Sequence, residues 1–165
     1  MFWFWKRYFK VMKKFLERES VFMRILKMIA FFGRRPYFNG VTKFLTTQSA
    51  GLNLALNRPK ATASPKELAE RWQKLMPPDA QELFPIKSSD QLTAYTEIHV
   101  HCPLRGTGDV QACHRLMNYD RKLMEAVGGE LIVLESQSNS GKSYCSIAIR
   151  KRGEDTRDLV PAHET

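Results

Sequence analysis

The sequence predicts an α+β domain, an antiparallel sheet covered by helices, preceded by a basic amphipathic helical N-terminal segment. Three observations predict it. Strand-like alternation recurs at 92–102, 130–137 and 143–151; helical periodicity fills the interval between the first two strands; and the positive charge is concentrated at the front. Residues 1–60 carry 13 Lys and Arg against 2 Asp and Glu, and the remainder 13 against 15, so the net charge of +9 belongs to the first third. At 165 residues and 43% hydrophobic, the chain has material for one sizeable core plus an appendage. The boundaries read from composition are a basic aromatic segment over 1–57, a domain over 58–152 and a mobile tail over 153–165.

From Trp3 to about Phe32 the periodicity is helical. Trp5, Tyr8, Phe9, Met12, Phe15 and Leu16, then Phe22, Leu26 and Ile29, share a face opposite Lys6, Lys10, Lys13, Glu17, Arg24 and Lys27. A break is expected near Glu19-Ser20 and a stop at Gly33-Arg-Arg-Pro36. Through residues 1–35 this stripe suits either the globular domain or a partner protein, or an anionic membrane surface, where aromatic rings sit at the headgroup boundary. Nucleic acid is argued against, because no nucleic-acid-binding module shows in the rest of the chain. The longest uncharged run, Phe44–Asn57, has 14 residues rich in Thr, Gln, Ser and Asn, too short and too polar to span a bilayer. Three cysteines cannot all pair within one chain, and no secretory signal is evident. Free thiols in a reducing, cytoplasmic setting are expected, with a peripheral position at the inner membrane face if the helix binds lipid.

Residues 57–64, "NRPKATAS", read as a linker. Ser64-Pro65-Lys-Glu67 follows as an N-cap, a first-turn proline and a capping-box glutamate, opening a helix to about Met76 with Leu68, Trp72 and Leu75 on its core face. A short helix is expected over Asp79–Phe84. In "LTAYTEIHVHC", Leu92, Ala94, Thr96, Ile98, Val100 and Cys102 face one side, and Tyr95, Glu97, His99 and His101 the other. Pro103–Gly108 breaks this strand, and a helix should run from Asp109 to Gly128-Gly129. "ELIVLESQ" and "SYCSIAIRK", the latter with Cys145, Ile147 and Ile149 on one face and Tyr144, Ser146 and Ala148 on the other, complete the sheet across the turn "SNSGKS", where Gly141 takes positive φ.

On the helix after Asp109, residues Cys113, Met117, Asp120 and Met124 share a face at spacings of four, three and four. A carboxylate on a core face needs a partner: a metal, a ligand amine or a hydrogen-bond donor. Cys102 at a strand end and Cys145 early on another strand would approach Cys113, with His114 or His101 nearby. Cys113 also reads as an ordinary buried hydrophobe. Zinc would accept Cys102, Cys113 and Cys145 with a histidine, but the spacing lacks the Cys-x-x-Cys knuckle of structural sites.

"CPL" at 102–104, "ACHRLMNYDRKL" at 112–123 and "SGKSYCSIAI" at 140–149 resemble the L-2-amino-thiazoline-4-carboxylic acid hydrolase family and, more distantly, vinyl reductase-like small-molecule-binding domains. Over residues 64–151 the resemblance implies hydrolysis of a carbon–nitrogen bond in a small cyclic amidine. Cys102, Cys113, Asp120, Gly141 and Cys145 match. In that chemistry Cys113, activated by a helix N-terminus, would be the nucleophile, Asp120 would hold the protonated nitrogen and His114 or His101 would move protons. The basic segment 1–57 lies outside the resemblance and favours an alternative: a non-catalytic accessory subunit that binds a small ligand or metal.

Overall fold

The computed structural model describes residues 18–164. The helical face expected over Trp3–Leu16 lies outside the described residues. Helix α1 spans Glu19–Gly33, α2 Asn39–Asn57, α3 Pro65–Lys74, α4 Val110–Leu116 and α5 Asn118–Val127. The strands are β1 Ile86–Ser89, β2 Thr93–Ile98, β3 Gly129–Glu135 and β4 Cys145–Lys151, in one sheet of order β1-β2-β4-β3. All three pairings are antiparallel, with Ala94 opposite Ile149 and Val133 opposite Ile147. The α+β class read from the sequence is the observed one.

Helix α1 starts where the break was expected. Arg18 is extended, and the backbone N–H of Glu19 donates to the Asp79 carboxylate at 3.0 Å, which supplies a cap from outside the helix. Phe22, Ile25 and Leu26 pack against the core, Ile29 is buried, and Arg24 and Lys27 are exposed. On α2 the buried stripe is small: Thr42, Thr46 and Ala50 at intervals of four. Small side chains let α2 lie close to its neighbours, and Thr46 Oγ1 accepts from Asn118 Nδ2 at 2.8 Å. Ile29, Ala30 and Ala50 belong to the same core as Trp72 and Ile147, so the core is continuous across the linker at 58–64.

Arg58 ends α2 in the left-handed conformation, and the extended linker is fastened by Arg71 donating to the Lys60 and Ala61 carbonyls. The capping box expected at Ser64 is not made: the Ser64 side chain caps nothing, and Thr62 Oγ1 donates to Glu67 at 2.6 Å instead. Pro65 holds the first helical position as expected, and Leu68, Trp72 and Leu75 are buried.

Three further departures have physical causes. Edge strand β1 has the composition Ile-Lys-Ser-Ser, without apolar alternation, and is a strand because β2 offers it a ladder. The helix expected over 109–127 divides at Met117, after which Asn118 turns its amide to the hydroxyls of Thr46 and Thr47. The tail expected to be mobile is packed on the domain. Arg150 makes a bidentate ion pair with Asp158 at 2.6 Å, the Ala162 N–H donates to the Val133 carbonyl at 2.8 Å, and Leu159 and Ala162 are buried. The tail thereby covers the free side of edge strand β3.

Gly128 closes α5 at φ 93°, and a Cβ there would stand 3.0 Å from the Thr62 carbonyl oxygen. Gly128→Ala should therefore lower unfolding stability by roughly 1–3 kcal/mol through left-handed strain and crowding. Urea unfolding of both proteins measures it, and an unchanged midpoint would refute the close packing of linker on helix end.

Candidate functional site

A cavity of about 170 Å³ lies between α1, α2, α5, the end of β2 and the start of β4. Its wall is largely apolar, with Phe22, Leu26, Ile29, Leu56, Phe84 and Val100 among the lining residues. The polar groups on the wall are few: Asn53, Asn57, Tyr119, Asp120, Gln137 and the three cysteines stand out. Cys102, Cys113 and Cys145, drawn from a loop, a helix and a strand, do reach one cavity.

Asp120 is brought there by α5, whose apolar face carries it inward with Leu123, Met124 and Val127. The donor that meets it is the Trp72 indole, whose Nε1–H donates to Asp120 Oδ1 at 3.0 Å from the buried face of α3. Asp120 is in no ion pair among the described residues, and it is the one charged side chain among the described residues lining the cavity. Burial pushes its carboxyl up from 3.8 to about 6, opposed by the Trp72 hydrogen bond and the Arg121 charge. Next to it, burial and the Asp120 charge raise Tyr119 above its ordinary range. The Tyr119 hydroxyl accepts from Asn53 Nδ2 at 2.7 Å, and Asn57 Nδ2 donates to Asn53 Oδ1 at 2.9 Å. These groups form a polar strip along an otherwise apolar wall.

The thiols are not activated. Burial raises Cys113 to about 11 and Cys145 to about 12, and it also raises half-buried Cys102. Cys113 sits early in α4 as expected, but loss of solvent outweighs what a seven-residue helix and the Ser136 hydroxyl contribute. The thiol sulfurs act as weak acceptors: Cys145 Sγ from the Gln137 N–H and Cys102 Sγ from the Leu104 N–H, both at 3.4 Å. All three are free cysteines. Among the described residues no group of three or more His, Cys, Asp or Glu is arranged to hold a metal ion. The zinc arrangement considered for Cys102, Cys113 and Cys145 is not among such groups, and the histidine it would need does not line this cavity.

His114 lies elsewhere. It lines a second cavity, of about 290 Å³, between α4, α5, β3 and the tail, with its ring 3.8 Å from that of His163. Burial, then the charges of Arg121, His163 and Arg115, lower it to about 4. His101 is exposed on the loop after β2, and His99 bonds Glu97 at 2.7 Å and stacks on Tyr144. Neither histidine joins the Asp120 cavity.

Sequence reasoning missed Trp72 as the partner of Asp120, the Asn53–Tyr119 pair and Gln137. The Gln137 amide is fully buried. Its Nε2 donates to the Val100 carbonyl at 2.9 Å and the Ile98 carbonyl at 3.3 Å, while Oε1 accepts from Arg105 Nε at 2.8 Å and the Cys102 N–H at 3.4 Å. The signal available was a glutamine in register with inward residues of an apolar strand. In the SGKS turn Gly141 has φ 73°, as expected, and Lys142 pairs with Glu135 at 2.6 Å.

Comparison with models of protein families, with curated proteins and with solved structures finds no match. No helix among the described residues is long and apolar enough to cross a membrane.

The raised carboxyl has a thermodynamic signature. The folded protein holds the Asp120 proton more tightly than the unfolded chain, so the stability this gives is complete below about pH 4 and lost as pH rises through about 6. The span from 3.8 to about 6 corresponds to about 3 kcal/mol. Asp120→Asn, which stays neutral, should be more stable than the wild type at pH 7 by up to that amount and equal to it near pH 4. His114 is displaced in the opposite sense over part of this range, so the quantity to read is the difference between the two proteins at each pH. A difference independent of pH would show that Asp120 is not held in a low-dielectric wall.

Proposed function

We propose that the chain is a small-ligand-binding module whose ligand is a compact, mostly apolar molecule carrying a basic or N–H-donating nitrogen. One observation carries this reading: an apolar cavity with a single carboxylate and no cation on its wall among the described residues, the carboxylate being in no ion pair. A volume near 170 Å³ is of the order that admits one aromatic ring with a short polar head. An amidine or amine placed against Asp120 would supply the opposite charge that the wall lacks, and the Asn53, Asn57 and Tyr119 strip offers further hydrogen bonds.

A hydrolytic reading uses the same ligand chemistry. Asp120, at about 6, could take a proton from water attacking an amidine carbon and return it to the departing nitrogen. The raised thiols would then shape the pocket rather than attack. A thiazoline carboxylate fits this wall less well than a simple amidine, because no cation among the described lining residues meets its carboxylate.

Attachment of the module to an anionic membrane surface is the second part of the proposal. The outer side of the α1–α2 hairpin exposes Met28, Phe31, Tyr37, Val41 and Phe44, and Tyr37 is 96% exposed. Arg24, Lys27, Arg34, Arg35 and Lys43 surround them, and no carboxylate occurs between Glu19 and Glu67. Each such cation near an anionic leaflet contributes about 1 kcal/mol, and the aromatics suit the headgroup layer.

Benzamidine tests the ligand reading: calorimetry should give saturable one-to-one binding that weakens roughly tenfold or more in Asp120→Asn. Absence of saturable binding, or equal binding by the variant, would overturn it. Incubation with the thiazoline carboxylate should leave the ring closed; a carbamoyl product would establish the hydrolytic reading instead. For the membrane, the full chain should float with phosphatidylserine vesicles and not with phosphatidylcholine alone, and Phe31→Ser/Phe44→Ser should reduce the bound fraction. Equal recovery with both vesicles, or an unaffected double variant, would refute attachment through the hairpin.

A further inference from the structure

We infer that the second cavity, beneath the C-terminal segment, is a binding site for a small organic monocarboxylate held by Arg121 and the His114–His163 pair. It is independent of the Asp120 cavity, so failure of benzamidine to bind would leave it untouched.

The cationic character of this cavity is built in. Arg121 is half-buried, spends Nη2 on the His114 carbonyl at 2.6 Å, and is in no ion pair among the described residues. A desolvated guanidinium retains donors in a fork that matches a carboxylate. Every charged group facing His114 can be named: His163 and Glu164 from the tail, Arg121 from α5, Arg115 on its own helix and Glu130 on β3. Glu164 lies 3.8 Å from His163 with its side chain 64% exposed, and Glu130 is exposed, so both carboxylates stay hydrated at the rim. Inside, Arg121 is the cation that no carboxylate pairs among the described residues.

The remainder of the wall sets the ligand class. Val110, Val133, Leu159 and Pro161 offer an apolar surface for a short hydrocarbon body, and one guanidinium balances one negative charge. This favours a monocarboxylate over a phosphate dianion. Beyond the Arg150–Asp158 pair, the segment above is fastened by the Ala162 N–H to Val133 and by Gln111 Nε2 to the His163 carbonyl at 3.2 Å, and both histidines are half-buried.

The full-length protein is titrated with butyrate while the imidazole resonances of His114 and His163 are followed by NMR. The expected result is a saturable, single-site shift of both rings. Affinity should be greater at pH 5.5 than at pH 7.5, because the bound carboxylate favours the protonated imidazole beside it. Arg121→Gln should weaken binding roughly tenfold or more, and Arg121→Lys should recover part of it by restoring charge without the fork. Since Arg121 also holds the His114 carbonyl, His163→Ala serves as a second variant: it keeps the main-chain bond to Gln111 and should flatten the pH dependence. Absence of a saturable shift, wild-type affinity in Arg121→Gln, or unchanged pH dependence in His163→Ala would overturn the site. Tighter binding of inorganic phosphate than of butyrate would overturn the carboxylate class.

Discussion

The buried amide of Gln137 is the constraint on which the placement of both cavities depends. Strand β2 stops pairing with β4 at Ile98, yet the chain must continue past the sheet edge to reach α4. Backbone groups stranded there would each lose about 1–3 kcal/mol if left unpaired. Gln137 satisfies two carbonyls and one N–H of this stretch with a single side chain and ties Arg105 to it as well. Its own carbonyl accepts from Gly106, and the Ser138 carbonyl from Gly108, so the glycine loop is docked along the same segment. The positive φ of both glycines makes that docking sterically open. Asp109 can then cap α4, accepting from the Ala112 N–H at 2.7 Å, and the start of α4 is where Cys113 and His114 are set.

What could be read from the sequence was what short-range physics decides. The face Leu68–Trp72–Leu75 and the glycine stop at 128 follow from period and backbone preference, and they hold; the strand alternation holds only in part, because Leu92, expected inward, is exposed, and Ala148, expected outward, is buried with Ile147 and Ile149 on a strand covered on both faces. What could not be read depends on partners far away in the chain. β1 has no intrinsic strand signal and is made by its neighbour. The tail looks polar and aperiodic, but Arg150 and the free edge of β3 give its Asp158 and Ala162 a place. The hairpin of α1 and α2 reads as an appendage by charge alone. Its small stripe, Thr42, Thr46 and Ala50, is apolar only in its methyl groups and gives little hydrophobic period, although it is the buried face of α2.

The same division runs through the candidate sites. Asp120 was legible because a carboxylate on an apolar face demands a partner; that the partner is an indole 48 positions earlier was not. The convergence of the three cysteines was legible from element ends. Their chemistry was not, because two opposing effects act on Cys113 and only burial, a tertiary quantity, decides between them. A helix terminus contributes fractions of a kcal/mol to about 2 kcal/mol, and desolvation of a thiolate exceeds it. His114, one helical step of about 100° from Cys113, was expected off the thiol face and at most at the rim, and it lines the second cavity, not the one that holds Asp120.

That step also explains how one short helix can serve two cavities of opposite character. Asp120 and Arg121 are consecutive on α5, and each lines a different space, Asp120 the apolar one and Arg121 the polar one beneath the tail. Neither has an ion-pair partner among the described residues, yet each eases the burial of the other: the Arg121 charge lowers Asp120, and the Asp120 charge raises Arg121. The residual field is therefore a dipole across the helix, negative toward one cavity and positive toward the other. Cys113 lines both spaces as a neutral, polarizable divider. Its neutrality is consistent with this arrangement, because a thiolate at that point would add negative charge to both walls, opposing Asp120 on one side and cancelling Arg121 on the other. Burial of Cys113, which holds its thiol in the neutral form, thus leaves the opposite polarity of the two cavities in place.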